Sequence, residues 1–248
     1  MIITLSPSKG QDFETPALTK KYSRPADLKD SGLLIRELRK IKVAELQELM
    51  GVSSNIAALN VSRYQSFKTP FTTKNARQAI LAFKGDVYAG IDIGHFSAED
   101  FDYAQDHLRI LSGLYGCLRP LDLIQPYRLE MKTKLKNPRG DNLYQFWGEG
   151  ITDSLNKALG QQQEPVLVNL ASKEYFKSVK PKLLDGQLLN VNFKETKNGK
   201  TRVVAIFAKR ARGMMADYII RNRIESPAGI KKFRQQGYRF AAELSDDR

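Results

Sequence analysis

Cysteine is almost missing: Cys117 is the single one in 248 residues. That excludes an internal disulfide and a thiolate metal cluster, and a lone cysteine inside the apolar run around Gly116 and Leu118 reads as a small core residue. Long hydrophobic runs are missing too. None approaches the roughly 20 residues of a spanning helix, so no membrane partner is expected. The opening MIITLSPSKG has neither the basic start nor the apolar stretch of a secretion signal, which gives the expectation of a cytoplasmic protein. No Pro-, Gly- or Ser-rich linker, repeat or low-complexity segment divides the chain. A Gly-rich phosphate loop, a nucleophile elbow and a serine-histidine-acid arrangement are all absent from the pattern, which argues against common kinases and hydrolases. No catalytic residue and no cofactor is assigned. The last shortage is of acid: 27 Asp and Glu stand against 40 Lys and Arg, for a net charge of +13. Such an excess describes partners, not fold. Nucleic acid comes first, followed by a small phosphorylated or carboxylated ligand.

What is present suits one globular unit, since 42% hydrophobic content can fill a sizeable core. MIITL reads as a short strand. From Ser31 the pattern turns helical, with Leu34, Leu38 and Ile41 on one face and Leu46, Leu49, Ile56 and Leu59 continuing it. SAED starts another helix, with Ser97 as cap, Asp100 at its third position, and Phe101, Ala104 and Leu108 as the buried stripe. NLYQFWGEGITDSLNKAL reads as an amphipathic helix, and PVLVNLAS as a buried strand whose Ser172 caps the next helix. Asn198-Gly199 signals a tight hairpin that pairs Glu195 with Arg202, Phe193 with Val204 and Val191 with Ile206. The expected fold is mixed α/β (α+β), a single compact domain over residues 1–248 with a mixed sheet.

Charge placement raises the chemical questions. In LRILSGLYGCLRPLDLIQPYRLEM, Arg109, Arg119, Arg128, Asp122 and Glu130 interrupt an apolar stretch, and a buried charge costs several kcal/mol unless it is paired or meets a ligand. Arg119 and Asp122 read as partly buried and paired. Beyond Arg128 come Lys132, Lys134, Lys136 and Arg139, a basic loop flanked by Pro126 and Tyr127. In AKRARG, Lys209, Arg210 and Arg212 crowd the start of a helix expected to begin near Arg212; cations disfavour that end, so an anion among them is expected. Asp92, His95, Glu99, Asp100, Asp102, Asp106 and His107 gather in one acidic segment. They form no recognised ligand spacing, so structural roles are preferred and no metal is assigned.

Residues 33–66 contain two helical segments joined at Met50-Gly51-Val52-Ser53. This is similar to the helix-hairpin-helix motif of DNA repair proteins, whose turn usually reads proline, glycine, aliphatic, glycine. Gly51 and Val52 match it; Met50 and Ser53 depart from it. The resemblance implies that backbone amides of Val52, Ser53 and Ser54 meet a phosphate without reading sequence.

SPSK, GLYG, RPLD, PYRLEM, NLASKEY, AKRARG and the late Gly237-Tyr238, in that order, resemble the YaaA family of bacterial peroxide stress proteins. Ser8 stands where that pattern has alanine. The resemblance implies a cytoplasmic, monomeric protein of the oxidative stress response that limits damage from unincorporated iron. It further implies an α/β domain with a basic cleft, a helix-hairpin-helix element and duplex DNA as partner. Lys9, Arg119, Arg128, Lys132, Lys173, Lys209, Arg210 and Arg212 would line that cleft, with Asp122 and Glu130 holding its arginines. The alternative is an enzyme acting on a small anionic or nucleotide-like substrate clamped by the same arginines.

Overall fold

A computed structural model describes residues 1–246. The chain opens with β1 (Ile2–Leu5) and β2 (Gly10–Gln11), followed by three helices, α1 (Leu28–Leu38), α2 (Val43–Met50) and α3 (Ser54–Ser66). Then come β3 (Arg77–Gln78), α4 (Ala79–Ala82) and β4 (Phe83–Lys84), and next α5 (Ala98–His107), β5 (Leu108–Ser112), β6 (Gly116–Leu118) and β7 (Leu123–Ile124). The last part holds α6 (Leu143–Trp147), α7 (Gly150–Leu159), β8 (Val166–Asn169), α8 (Lys173–Phe176), β9 (Gln187–Asn190), the hairpin β10 (Glu195–Lys197) and β11 (Lys200–Arg202), α9 (Ala205–Arg221) and α10 (Pro227–Ile230).

The main sheet has five strands in the order β6-β5-β1-β8-β9. β1 lies parallel to both β5 and β8, and β8 is parallel to β9. β6 folds back antiparallel on β5. Parallel strands are covered on both faces and therefore read as unbroken apolar runs, as IITL and VLVN do. The mixed α/β expectation holds, and β1 is where MIITL put it. Arg109 is the polar intruder in β5. It is buried, and its guanidinium is satisfied by the carbonyls of Gln105 at 2.9 Å and Leu108 at 2.8 Å.

Local signals survived where they needed only neighbours. The Asp100 N–H donates to Ser97 Oγ at 3.2 Å and the Ser97 N–H donates to Asp100 Oδ2 at 2.9 Å, closing the capping box of α5. Phe101 and Ala104 are buried as read, but Leu108 belongs to β5. The segment read as one helix after Asn142 is two, α6 and α7, because Gly148 takes φ +52° and turns the chain between them. Ser172 stands at the N-cap of α8 without capping it, since its N–H and hydroxyl both face Ser6 Oγ, at 2.9 and 3.3 Å.

The hairpin turn at Asn198-Gly199 forms with Glu195 opposite Arg202, yet the pairing ends there. Val204 is the N-cap of α9 and Ile206 lies in its first turn, so neither joins Phe193 or Val191. Val203 and Ile206 are more than half exposed, so a longer strand would have no apolar surface to cover. Helix instead buries Ala208, Ala211, Met215 and Ile219. This longer α9 also corrects the helix start expected near Arg212. Lys209, Arg210 and Arg212 sit in its second and third turns, where the dipole argument does not apply.

α9 is seated by a close glycine contact. A Cβ on Gly213 would stand 1.8 Å from Val87 O and 3.0 Å from Gly90 Cα, so only glycine lets the helix touch the 3₁₀ turn Tyr88–Gly90. Gly32 in α1 has nothing within 4 Å of its missing Cβ. The two should respond with opposite signs. Gly213→Ala is expected to destabilise by about 3 kcal/mol through overpacking, and Gly32→Ala to stabilise by about 0.5–1 kcal/mol through helix propensity. Urea unfolding of both variants measures this, and a neutral Gly213→Ala would contradict the seating.

Candidate functional site

Because β5, β1 and β8 run parallel, their C-terminal ends release three loops at one edge of the sheet. β1 runs on into Ser6-Pro7-Ser8-Lys9 and β8 into Leu170-Ala171-Ser172-Lys173. The Ser6–Ser172 hydrogen bonds tie these loops, and the Tyr88 hydroxyl donates to Ser6 O at 3.0 Å. At the end of β5, Ser112 Oγ lies 2.7 Å from the Tyr127 hydroxyl, which draws the segment Tyr127–Glu130 along the same edge.

There the expected ion pairs form around one buried carboxylate. Glu130, 9% exposed in its side chain, takes Lys9 Nζ at 2.7 Å and Arg128 Nη2 at 3.7 Å. Two cations share one anion, and Arg128 Nε is buried without any partner. The edge therefore keeps surplus positive charge in a partly desolvated place, where an incoming anion meets less screening than in water. Past Glu130, Met131, Thr133 and Leu135 are buried while Lys132, Lys134 and Lys136 between them are exposed, so three amines point to solvent in succession. The backbone N–H of Lys132 donates to Glu174 Oε1 at 3.3 Å, holding this row beside α8.

Lys209 approaches from the other side. It lies 3.7 Å from Asp86, whose neighbour Gly85 abuts Ser8: a Cβ on Gly85 would be 2.7 Å from Ser8 Oγ. Arg210 is exposed, whereas Arg212 is half-buried with an unpartnered Nε, and burial lowers its pKa.

Arg119 is elsewhere. Leu118 pairs with Ile110 in an antiparallel ladder, so Arg119 follows toward the Leu108 end of β5, a strand length of roughly 13 Å from the Ser112 end. Its pairing with Asp122 is as read: the backbone N–H donates to Oδ2 at 2.8 Å and Nη2 lies 3.1 Å from Oδ1, while the Ser23 hydroxyl donates to the same carboxylate at 2.6 Å. The pair is thus a brace on the opposite end of the sheet, and Arg119 does not belong with Lys9 and Arg128.

The α2–α3 turn has the geometry its glycine implied. Gly51 adopts φ 59°, ψ 48°, a left-handed helix end. Ser53 caps α3, its Oγ accepting the Ile56 N–H at 3.4 Å. The Val52 N–H, however, donates to Gln47 O at 3.2 Å and is not free for a phosphate. Ser53, Ser54 and Asn55, at the helix start, have no intrahelical acceptor for their N–H groups by position. Leu46 and Ala57 are buried between the helices, but Leu59 is half exposed and faces out. The Tyr64 hydroxyl donates to Arg128 O, which joins α3 directly to the basic edge.

Sequence reasoning missed Arg63, half-buried in α3 with its pKa lowered by burial and a 3.4 Å contact to Asn60 Oδ1. Its position beside the buried Tyr64 was the available signal. The acidic segment has structural uses: Asp92 meets His95 and Arg221, Asp100 meets Arg223, and Asp102 meets Lys21. The His107 ring nitrogen lies 2.9 Å from Met1 O. Among the described residues no three His, Cys, Asp or Glu side chains group closely enough to hold a metal ion, and no helix is long and apolar enough to cross a membrane.

Known proteins match this chain over nearly its whole length. A family model described as peroxide stress protein YaaA matches residues 1–244. A protein of Colwellia psychrerythraea named "UPF0246 protein" is 53% identical over 247 residues, covering the whole of this chain and 96% of the relative. The chain belongs to the peroxide stress protein YaaA family. Membership places it among proteins of the oxidative stress response.

In a peroxide stress family the one thiol invites attention. Cys117 is buried in β6, and desolvation pushes its pKa from 9.0 up to about 12. The thiolate is the reactive form, so this residue behaves as core and not as a peroxide sensor. Cys117 should therefore react with a disulfide reagent only as fast as the protein unfolds. The same shift acts on stability. Above pH 9 the unfolded chain loses the thiol proton while the native state keeps it, so the stabilisation is complete below pH 9 and is lost as pH rises toward 12. Between pH 9 and 10 the native protein is expected to lose about 1 kcal/mol that Cys117→Ala does not lose. Denaturant titrations at the two pH values check this, and rapid native-state labelling would refute it.

Proposed function

We propose that this YaaA-family chain binds duplex DNA through its phosphates, without reading sequence, and that this binding serves the protection from unincorporated iron that the resemblance implies. One contact carries the reading. Tyr64 fastens the C-terminal part of α3 to Arg128, so the helix that starts at the capped Ser54 runs up to the edge that continues into the solvent-facing row Lys132, Lys134, Lys136. The ten residue steps from Ser54 to Tyr64 make about 15 Å of helix, which matches four to five phosphates along one strand at about 3.4 Å each. Lys9, Lys173 and Lys209 extend the positive side along the C-terminal edge of the sheet, and the net charge of +13 supplies long-range attraction. Lysines and backbone amides hold phosphates but do not read bases.

A second reading has its own observation in support. Lys9 and Arg128 share Glu130 at the C-terminal ends of parallel strands, where α/β folds collect small ligands. An enzyme of a small anionic or nucleotide-like substrate would use that spot, and the lysine row would not matter to it.

The readings separate by salt. If about five phosphates are neutralised, log affinity for duplex DNA is expected to fall with log salt at a slope near −4.5, equally for two unrelated sequences. Replacing Lys132, Lys134 and Lys136 with alanine should flatten that slope by about 2.7. Gly51→Val, with a melting curve to show that α2 and α3 persist, should weaken binding by disturbing the left-handed turn that aims Ser54. Fluorescence anisotropy titrations measure all three. A slope near zero, a strong preference for one duplex, or indifference to the lysine triple substitution would leave the small-substrate reading.

A further inference from the structure

Arg77 is a cation without a counter-charge in an apolar setting. It lies in β3, 8% exposed, between Ala76 and Gln78 and just before the fully apolar α4. Its guanidinium donates to the carbonyls of Thr15 and Pro16, and its Nε is buried with no partner at all. Asp12, the carboxylate that feels its charge, is engaged instead by the Thr15 hydroxyl at 2.6 Å and by Lys84 at 3.6 Å. A guanidinium has five N–H donors. Carbonyl partners give it dipoles but no neutralising charge.

Arg77 also lines a cavity of about 210 Å³. The walls are Ile80, Phe83, Tyr88 and Ile91, all buried and apolar on the side they offer. Leu18 lies at the rim with 54% of its surface exposed, beside the exposed Ala89 and Lys84. An apolar chamber of about 150 Å³ is known to accept benzene, so this one has room for a ring with a short acidic arm. One buried cation at the wall of an otherwise greasy chamber selects a monoanion with an apolar body. A phosphate would need more donors than one guanidinium provides, and a neutral hydrocarbon would leave the cation without a counter-charge.

The geometry points to a binding site for a small aryl or branched aliphatic monocarboxylate, with the Arg77 guanidinium as its counter-charge and the apolar body filling the chamber under Leu18. Arg77 is then the specificity-determining residue, Lys84 adds positive potential at the entrance, and the Thr15–Leu18 segment covers the ligand. This site is separate from the DNA reading and does not depend on it.

Phenylacetate is the probe and the full chain is the protein, with isothermal titration and saturation-transfer NMR as readouts and no DNA present. Saturable binding at about one site, with Kd below about 1 mM, is expected. Phenylacetamide, the same shape without the charge, should bind at least about tenfold more weakly, the loss expected when a buried charge goes unmet. Arg77→Gln should cause a similar loss. Because Arg77 also holds the Thr15–Pro16 backbone, a second variant guards against simple unfolding: Ala89→Phe is at an exposed rim position and should block entry while leaving the melting temperature unchanged. If Arg77→Gln does not fold, Ala89→Phe and the amide comparison decide. No saturable binding at about 10 mM phenylacetate, equal affinity for the amide, or full binding by a folded Ala89→Phe protein would each overturn the proposal.

Discussion

Everything at the functional edge depends on β1 being sandwiched. Its four residues are buried, and it hydrogen-bonds in parallel to β5 on one side and β8 on the other. Parallel pairing forces the three strands to end in the same direction, and buried faces on both sides leave only the strand ends for ligands. The loops that follow are then stitched by side chains, with Ser6 to Ser172, Tyr88 to Ser6 O and Ser112 to Tyr127. These bonds hold Lys9, Lys173 and Arg128, which come from distant parts of the chain, at one edge.

Charge follows from that geometry. At the C-terminal edge the buried Glu130 carboxylate bridges two cations, Lys9 and Arg128. At the other end of β5, Asp122 is almost fully spent: it takes the Arg119 backbone, the Arg119 guanidinium and the Ser23 hydroxyl. A carboxylate that satisfies three donors compensates its own desolvation and braces a loop, whereas one shared between two cations leaves positive charge over. The two arginine-acid pairs in one apolar stretch thus have different fates, one structural and one open to an outside anion.

What could be read from sequence was what the chain decides within a few residues. The capping box at Ser97 and Asp100, the left-handed turn at Gly51 and the Glu195–Arg202 register all rest on neighbours and all are present. What escaped needed distant partners. Arg119 and Arg128 lie nine residues apart by number, and nothing local says that β6 turns back along β5 and carries Arg119 to the opposite end. β9 is an edge strand with a partly exposed pattern, so the apolar LLN that pairs with β8 read as the beginning of the hairpin. The early start of α9 depends on Gly213 meeting Gly90, a contact across more than a hundred residues that no helix signal around Ala205 announces. The Val52 amide was lost to Gln47 for the opposite reason, since a left-handed glycine end commonly uses the next amide to close its own helix.

The cations divide by side chain, and the division bears on what each can recognise. Among the described residues, those with restricted exposure are arginines with the exception of Lys180: Arg63, Arg77, Arg109, Arg119, Arg128, Arg212 and Arg223. Those around the proposed DNA path are lysines in the open: Lys9, Lys132, Lys134, Lys136, Lys173 and Lys209. A guanidinium is weakly hydrated and presents a fixed fork, so it can be buried at lower cost and can tell one anion's shape from another's. An ammonium is a strongly hydrated point charge on a flexible stem, suited to a phosphate wherever along the strand it falls. If the proposed DNA path and the proposed Arg77 pocket both operate, the recessed arginines would supply the selective recognition and the exposed lysines a salt-sensitive attraction indifferent to sequence, so a small anion and a DNA phosphate would not compete for the same residues.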